Sequence, residues 1–283
     1  MENEIGMNMM KKILLVVVAL LGLVSLQVNA QEGVTRTLYM DKAVKGTLPL
    51  TAKHGGDIEF FIRLELPDVE KVPSAYKVAL TAVRDTILSK SMRMKYVSGD
   101  ADYKKLTAQF ETRQFKNLEG FIGSMDAADR DRRKALFRWY FEYSGQLDED
   151  SLMNPMLSDA PFFQFYLQKV EQIGNTFFSA ENLVFDSRTG QLLTLADLLN
   201  MTPPNDVFVE NLMMDEFRKH HPEETDYDFN VDTSASFEIT KTGLNFYIPT
   251  GNVQEDRLDY IFMDKSALKP FMKKGGLLEQ FWK

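Results

Sequence analysis

The chain of 283 residues contains no cysteine, few histidines and no surplus of basic charge. Without cysteine, disulfides and lipid attachment through a lipobox cysteine are both excluded. The 33 Lys and Arg residues are outnumbered by 41 Asp and Glu residues, which gives a net charge of −8. Because a nucleic-acid footprint needs a basic face, this composition argues against nucleic acid as a partner. Simple attraction to anionic lipid is disfavoured for the same reason.

The longest apolar run lies near the N-terminus. Lys11 and Lys12 precede an apolar run that extends to Val24, and a segment of small or β-branched residues ends at Ala30. A basic start, a short apolar run and a cleavage site of this kind are typical of a secretory signal peptide. The run is shorter than the roughly 20 apolar residues that span a bilayer. We therefore expect a signal peptide at 1–30, cleavage near Ala30, and a secreted or periplasmic protein without stable membrane insertion after cleavage.

Hydropathy patterning in the first half predicts one strand and two helices. Apolar and charged residues alternate over Asp57–Leu66, which predicts a strand with one buried face. An apolar stripe that includes Val78 predicts a helix over Pro73–Lys90, and Asp102–Met125 shows a second helical stripe. With no disulfide to stabilise it, the protein must rely on burial, for which its 21 Phe and 10 Tyr residues are suited.

The second half predicts strands with short connections. Aromatic runs at 137–143 and 161–167 predict a hairpin with a long loop, and short strands are predicted at 236–240, 244–248 and 257–263. A helix over 206–220 is expected to have Val207, Phe208, Leu212 and Phe217 on its inner side. Early helices followed by such strands favour an α+β fold.

The predicted architecture is an antiparallel sheet with helices packed on one side, divided between two closely associated subdomains. The N-terminal α+β subdomain is assigned to residues 31–155 and the C-terminal one to residues 156–283.

One segment of the second half predicts its local structure in detail. The run LVFDSRTGQLLTLADLL at 183–199 predicts a strand, a turn, a second short strand and a helix start. Gly190 suits the turn position that requires a positive φ. Thr194 and Asp197 have the spacing of a capping box, with the carboxylate at the positive end of the helix.

This segment resembles the strand–turn–helix element of the RsiV-like domains, a family of bacterial extracytoplasmic domains. The tail SFEITKTGLNFYIPTGNV…DYIFMDKSALKPFM resembles the closing part of the same family, so that the resemblance spans roughly Phe162–Met272. It implies an exported α+β domain that binds a ligand without chemistry, either a protein such as lysozyme or a cell-wall glycan such as peptidoglycan. The chain departs from the family at Val170–Asn175, where many members carry a glycine-glycine-alanine-histidine stretch.

A cell-wall-directed serine hydrolase is the alternative interpretation. Ser74-Ala-Tyr-Lys77 matches S-x-x-K and Lys241-Thr-Gly243 matches K-T-G, in the order found in β-lactamases and penicillin-binding proteins. The S-D-N element is missing, and Ser266-Ala-Leu-Lys269 is a second copy of the first motif. We therefore favour the binding interpretation and assign no catalytic residue.

Other candidate chemistry is weaker. His220 and His221 are adjacent, so they point to different sides of a helix end, and the acidic residues Glu223, Glu224, Asp226 and Asp228 lack EF-hand spacing. The acidic clusters at 126–131 and 148–150 lie in charged surroundings, whereas a glycosidase acid needs an apolar pocket. No metal site and no cofactor are predicted.

The aromatic strands leave two possibilities open. Trp139, Phe141 and Tyr143 share one strand face, and so do Phe162 and Tyr166. Either face could bind sugar rings or a protein partner, because aromatic residues dominate interface hot spots. Packing in the core is the simpler interpretation. The binding residues and the oligomeric state stay unassigned.

Overall fold

The computed structural model describes residues 35–45, 57–93, 102–133, 137–147, 160–173, 175–220, 222, 236–249 and 258–283. The predicted signal peptide lies outside these ranges and stays a prediction. None of the helices in the described ranges is long and apolar enough to cross a membrane.

The described strands form a five-stranded sheet of order β1-β2-β3-β4-β5 and a three-stranded sheet of order β6-β7-β8. Their bounds are β1 Thr35–Lys45, β2 Asp57–Pro67, β3 Arg138–Leu147, β4 Phe162–Ile173, β5 Asn175–Asp186, β6 Ser236–Ile239, β7 Gly243–Pro249 and β8 Leu258–Asp264. The helices are α1 Lys77–Met92, α2 Tyr103–Gly123, α3 Ala127–Arg132, α4 Leu195–Leu198, α5 Asn205–His220, α6 Lys265–Leu268 and α7 Leu277–Phe281. Short 3-10 turns precede α1 and follow α6, at Ser74–Tyr76 and Lys269–Phe271.

The five-stranded sheet is mixed. Neighbouring strands are antiparallel at β1–β2, β3–β4 and β4–β5, as the sequence predicts, but β2 and β3 are parallel, with Ile58 opposite Trp139. The helices α1 to α3 connect these two strands, and parallel neighbours require such a long crossover. Local patterning predicts the strands but not which of them run parallel. The α+β fold is confirmed, with one parallel pair in its sheet.

Helices α1 and α2 cover one face of this sheet. Side chains at alternating positions of β2 point into the core beneath them, as the period-two pattern predicts; these are Ile58, Phe60, Ile62, Leu64 and Leu66. Asp102 caps α2 by accepting hydrogen bonds from the backbone N–H groups of Lys104 and Lys105. Val78 was expected in the apolar stripe of α1, and this prediction is wrong because its side chain is 78% exposed.

A second core lies on the opposite face of β4 and β5. Phe162 and Val184 point to this side and pack with α5 and with the inner face of β6–β8. Strands β4 and β5 therefore contribute to both cores. The sheet continues across the predicted boundary at residue 155, and the division into two subdomains stays a prediction.

The inner side of α5 differs from the prediction. Val209, Met213 and Phe217 are buried, whereas Val207 and Phe208 are 51% and 53% exposed. Positions four residues apart lie on one side of a helix, so the stripe at 209, 213 and 217 turns residues 207 and 208 toward solvent. The assignment of Phe217 is confirmed, and those of Val207 and Phe208 are wrong.

The predicted turn and helix cap after β5 are confirmed. The Asp186 carboxylate accepts hydrogen bonds from the backbone N–H groups of Arg188 and Thr189 at 2.7 and 2.9 Å. Gly190 has a φ of 73°. Thr194 and Asp197 form the capping box at the start of α4.

Candidate functional site

The residues of the hydrolase alternative lie on different parts of the fold. Ser74 is the first residue of the 3-10 turn before α1, and Lys77 begins that helix. The Lys77 ammonium group donates to the Glu70 carboxylate at 3.4 Å, with half of the lysine side chain exposed. An exposed ammonium group in an ion pair is poorly placed to take a proton from a serine hydroxyl. In this structure the lysine of the S-x-x-K motif therefore forms a surface ion pair.

The K-T-G motif forms the turn between β6 and β7. The Thr240 hydroxyl accepts hydrogen bonds from the backbone N–H groups of Thr242 and Gly243. A Cβ at Gly243 would lie 2.0 Å from the Met263 carbonyl oxygen, so only glycine fits beside β8. Lys241 is exposed at the tip of this turn. The motif is thus accounted for by hairpin geometry.

Some of the histidines and acidic residues that were weighed as metal ligands or catalytic acids lie within the described ranges. His220 lies 3.6 Å from the Glu216 carboxylate on the same helix. Asp126 caps α3 by accepting from the Asp129 backbone N–H at 2.7 Å. His54, His221 and the acidic residues at 148–150 and 223–228 lie outside the described residues. In the described ranges, no group of His, Asp and Glu is arranged to hold a metal ion.

The aromatic face of β3 belongs to the core. Trp139, Phe141 and Tyr143 are between 1% and 5% exposed and pack under α2. The Tyr143 hydroxyl donates to the Glu171 carboxylate at 2.6 Å. Burial, together with that hydrogen bond, raises the pKa of Tyr143 far above its usual value. These side chains are therefore not a platform for a ligand, which confirms the simpler of the two interpretations.

Charged side chains lie between β4, β5 and the end of α1. Lys169 is 7% exposed, and its ammonium group donates to the Glu181 carboxylate at 3.2 Å. The other oxygen of Glu181 accepts from Lys90 of α1 at 3.4 Å. Burial alone would raise the pKa of Glu181, but the two ammonium groups outweigh burial and hold that pKa below its usual value. We therefore assign this cluster to attaching α1 to the sheet.

This cluster predicts an acid-dependent loss of stability. The pKa of Glu181 is lowered in the folded state, so its contribution is complete above about pH 4.5 and disappears as the pH falls through the folded value. Glu181→Gln is expected to lower the free energy of unfolding by about 1 kcal/mol at neutral pH, a value discounted for partial exposure. Urea unfolding at neutral pH and at about pH 3 measures the difference, which should shrink in acid.

Glu70→Gln is the control, because Glu70 pairs with Lys77 on the surface with 74% of its side chain exposed. This substitution should change stability by less than about 0.5 kcal/mol at either pH. An undiminished difference between wild type and Glu181→Gln in acid would contradict the prediction.

The five-stranded sheet also has an outer face, formed by the side chains that point away from α1 and α2 on β1–β3 and on the part of β4 that the second core does not cover. Tyr39 on β1 and Phe61 on β2 are 57% and 38% exposed, and their rings contact each other at 6.4 Å between centroids. Tyr166 on β4 is 36% exposed on the same face. Exposed large apolar groups that cluster on one surface are typical of interaction sites.

Carboxylates surround the aromatic rings of the outer face. On β2 and β3 this face carries four carboxylates and only two guanidinium groups; they belong to Asp57, Glu59, Glu65 and Glu142, and to Arg63 and Arg138. The Tyr140 hydroxyl donates to the Glu142 carboxylate at 2.7 Å, and the Tyr39 hydroxyl donates to Asp41 at 3.2 Å. The bond to Glu142, with desolvation, raises the pKa of Tyr140 to about 12. The outer face therefore combines exposed aromatic rings with an excess of negative charge.

The sequence pattern named Tyr166 on this face together with Phe162, which is buried in the second core, but it did not indicate Tyr39 or Phe61. Phe61 occupies a charged position in the alternation of β2, next to Phe60 of the buried face. That departure from strict alternation is the available signal. It points to an apolar side chain on the solvent side of the strand.

The stretch at Val170–Asn175, where the chain departs from the RsiV-like pattern, is not a loop. Pairing between β4 and β5 continues to Ile173 opposite Asn175, which leaves only residue 174 between them.

Comparison with solved structures identifies proteins whose fold is similar to that of this chain. A member of the DUF3298 family from Bacteroides fragilis has a similar structure, with a TM-score of 0.65 and 13% sequence identity over 89% of this chain and 98% of that one. A DUF3298 family protein from Pseudomonas aeruginosa matches with a TM-score of 0.49 and 10% identity over 84% of this chain and 94% of that one. No family model matches the chain, and a search of curated proteins finds no match.

The likeness to the Bacteroides structure confirms a mixed α+β fold of the type found in this family of domains of unknown function. The narrower RsiV-like assignment stays a prediction.

Proposed function

We propose that this protein is an exported, non-enzymatic binding protein of the cell envelope, of the RsiV-like type that its sequence resembles. Its ligand is a basic protein such as lysozyme. The observation that carries the proposal is the outer face of the five-stranded sheet, where Tyr39 and Phe61 lie exposed among carboxylates. Export is supported by the predicted signal peptide at 1–30.

The chemistry of the outer face fits a basic protein for two reasons. Aromatic side chains on a rigid sheet bury a large apolar area at little entropic cost, and they are enriched among hot spots. The surrounding carboxylates attract a positively charged partner and increase its rate of association. The exposed residues project from strands whose opposite face is packed in the first core, so the surface is held rigid before binding.

Binding of purified lysozyme, followed by surface plasmon resonance, tests the proposal. Wild-type protein is expected to bind, and Tyr39→Ala/Phe61→Ala is expected to raise Kd at least about tenfold because the anchor rings are lost. Glu59→Lys should mainly slow association and reduce its dependence on salt, because it changes the charge without removing a ring.

Phe177→Ala is the matched control, since Phe177 is an exposed phenylalanine of β5 on the opposite face of the same sheet, where it pairs with Glu171. Its Kd should equal that of the wild type. Absence of lysozyme binding by the wild type, or equal binding by the double variant, would refute the proposal for this ligand and this face.

A further inference from the structure

The three-stranded sheet has an exposed face of its own, opposite to the side that packs in the second core. We call it the β6–β8 face. Alternate residues of these strands are buried, among them Phe237, Leu244 and Ile261. The side chains between them form the β6–β8 face; at its centre are Glu238 on β6, Asn245 and Tyr247 on β7, and Tyr260 and Phe262 on β8, with Ser236 and Asp264 at its ends.

One half of this face is polar and held in place by a single carboxylate. Glu238 Oε2 accepts from Asn245 Nδ2 at 2.8 Å and from the Tyr247 hydroxyl at 3.1 Å. An amide carries two N–H donors and an oxygen acceptor, and the bond to Glu238 fixes the direction of all of them. The polar groups are therefore oriented before any ligand arrives.

The other half of the face is aromatic. Tyr260 lies directly opposite Tyr247, and Phe262 lies opposite Asn245. The two β8 side chains are 65% and 36% exposed. Cross-strand neighbours stand about 5 Å apart, so both exposed rings of β8 border the polar half of the face. The result is an exposed pair of aromatic rings with oriented hydrogen-bonding groups along one side.

We infer that the β6–β8 face binds a neutral pyranose sugar, with the ring stacked on Tyr260 and its hydroxyl or acetamido groups bonded to Asn245 and Glu238. A pyranose has an apolar face made of C–H groups and a rim of hydroxyl groups, which matches an aromatic surface beside fixed polar groups. The only charge among the five side chains is the Glu238 carboxylate, which repels acidic sugars and accepts from neutral hydroxyl groups. This arrangement excludes acidic sugars and suits the hydroxyl groups of a neutral one.

This inference goes beyond the proposed function, because it concerns a different sheet and a different class of ligand. A protein partner on the β6–β8 face is the competing possibility. A sugar is favoured because the exposed rings lie along one strand only and the neighbouring surface is polar, whereas a protein hot spot needs a wider desolvated patch.

Isothermal titration calorimetry with the trisaccharide of N-acetylglucosamine tests the inference on protein purified after expression of the full chain. The wild type is expected to bind. Tyr260→Ala should weaken binding at least about tenfold through loss of the stacking ring, and Tyr260→Phe should keep affinity within about twofold. Phe177→Ala, which removes an exposed ring from β5 of the other sheet, should have no effect.

Every outcome is decisive once circular dichroism shows that the variants are folded. Lack of binding by the wild type, or equal binding by Tyr260→Ala, overturns the inference. Lysozyme binding that is lost in Tyr260→Ala, without any trisaccharide binding, also overturns it and assigns the face to a protein. If the trisaccharide binds as expected and lysozyme does not, the sugar site stands while the proposed function fails for its ligand.

Discussion

Replacing Gln164 with methionine is expected to lower the free energy of unfolding by about 3 to 5 kcal/mol. Gln164 lies on β4 with only 2% exposure and connects the two sheets. Its Nε2 donates to the Ile239 carbonyl at 3.1 Å, and its Oε1 accepts from the Ile239 backbone N–H at 2.7 Å. Methionine fills a similar volume but leaves both buried backbone groups of Ile239 without these partners, and each such loss costs about 1 to 3 kcal/mol.

Urea unfolding followed by circular dichroism measures this loss, with Gln168→Met as the control. Gln168 lies on the same face of β4 but is only partly buried, so its replacement should change stability by less than about 0.5 kcal/mol. If Gln164→Met does not fold, Gln164→Glu in acid should retain part of the stability, because a protonated carboxyl group can both accept from the Ile239 N–H and donate to its carbonyl. Equal stability of Gln164→Met and wild type would show that the two sheets do not depend on this residue.

Replacing Gly190 with alanine is expected to lower the free energy of unfolding by about 2 to 5 kcal/mol. Two effects add. The φ of 73° is unfavourable for any residue with a Cβ, and an added Cβ would lie 2.1 Å from the Ala79 carbonyl oxygen of α1. The turn after β5 therefore packs against α1 so closely that the helix or the turn must move.

Gly275→Ala separates these effects. Gly275 has a φ of 69°, but nothing lies within 4 Å of an added Cβ, so only the backbone term of about 1 to 2 kcal/mol applies. Thermal unfolding of both variants should show a clearly larger decrease in Tm for Gly190→Ala. Equal decreases would mean that the contact with α1 is relieved at no cost.

The two exposed faces give the molecule two separate surfaces. The outer face of the five-stranded sheet is rich in aromatic rings and carboxylates, which suits a basic protein. The centre of the β6–β8 face has one carboxylate and oriented polar groups beside two rings, which suits a neutral sugar. Gln164 and Asn182 hold the sheets together through bonds to the backbone of β6, so the relative position of the two faces depends on these side chains.

Local features were predictable from the sequence because their causes lie within a few residues. The alternation over β2 places its apolar side chains on one face whatever lies above them. The Thr194–Asp197 capping box and the turn at Gly190 are likewise built from neighbouring residues. Helix α5 shows where this reasoning fails, since Val207 and Phe208 are as apolar as Val209 and Phe217. Which side of that helix is buried depends on β6–β8, not on the helix alone.

Composition and contacts between near neighbours are enough to predict an acidic, cysteine-free α+β chain, the positions of most strands and helices, and the turn and cap after β5. Three other features become visible only in the folded protein. Strands β2 and β3 run parallel, Trp139 and Tyr143 are buried, and Tyr39, Phe61 and Tyr260 are exposed. These features depend on residues far apart in the chain, because an aromatic side chain on a strand is buried or exposed according to which element covers that face of the sheet.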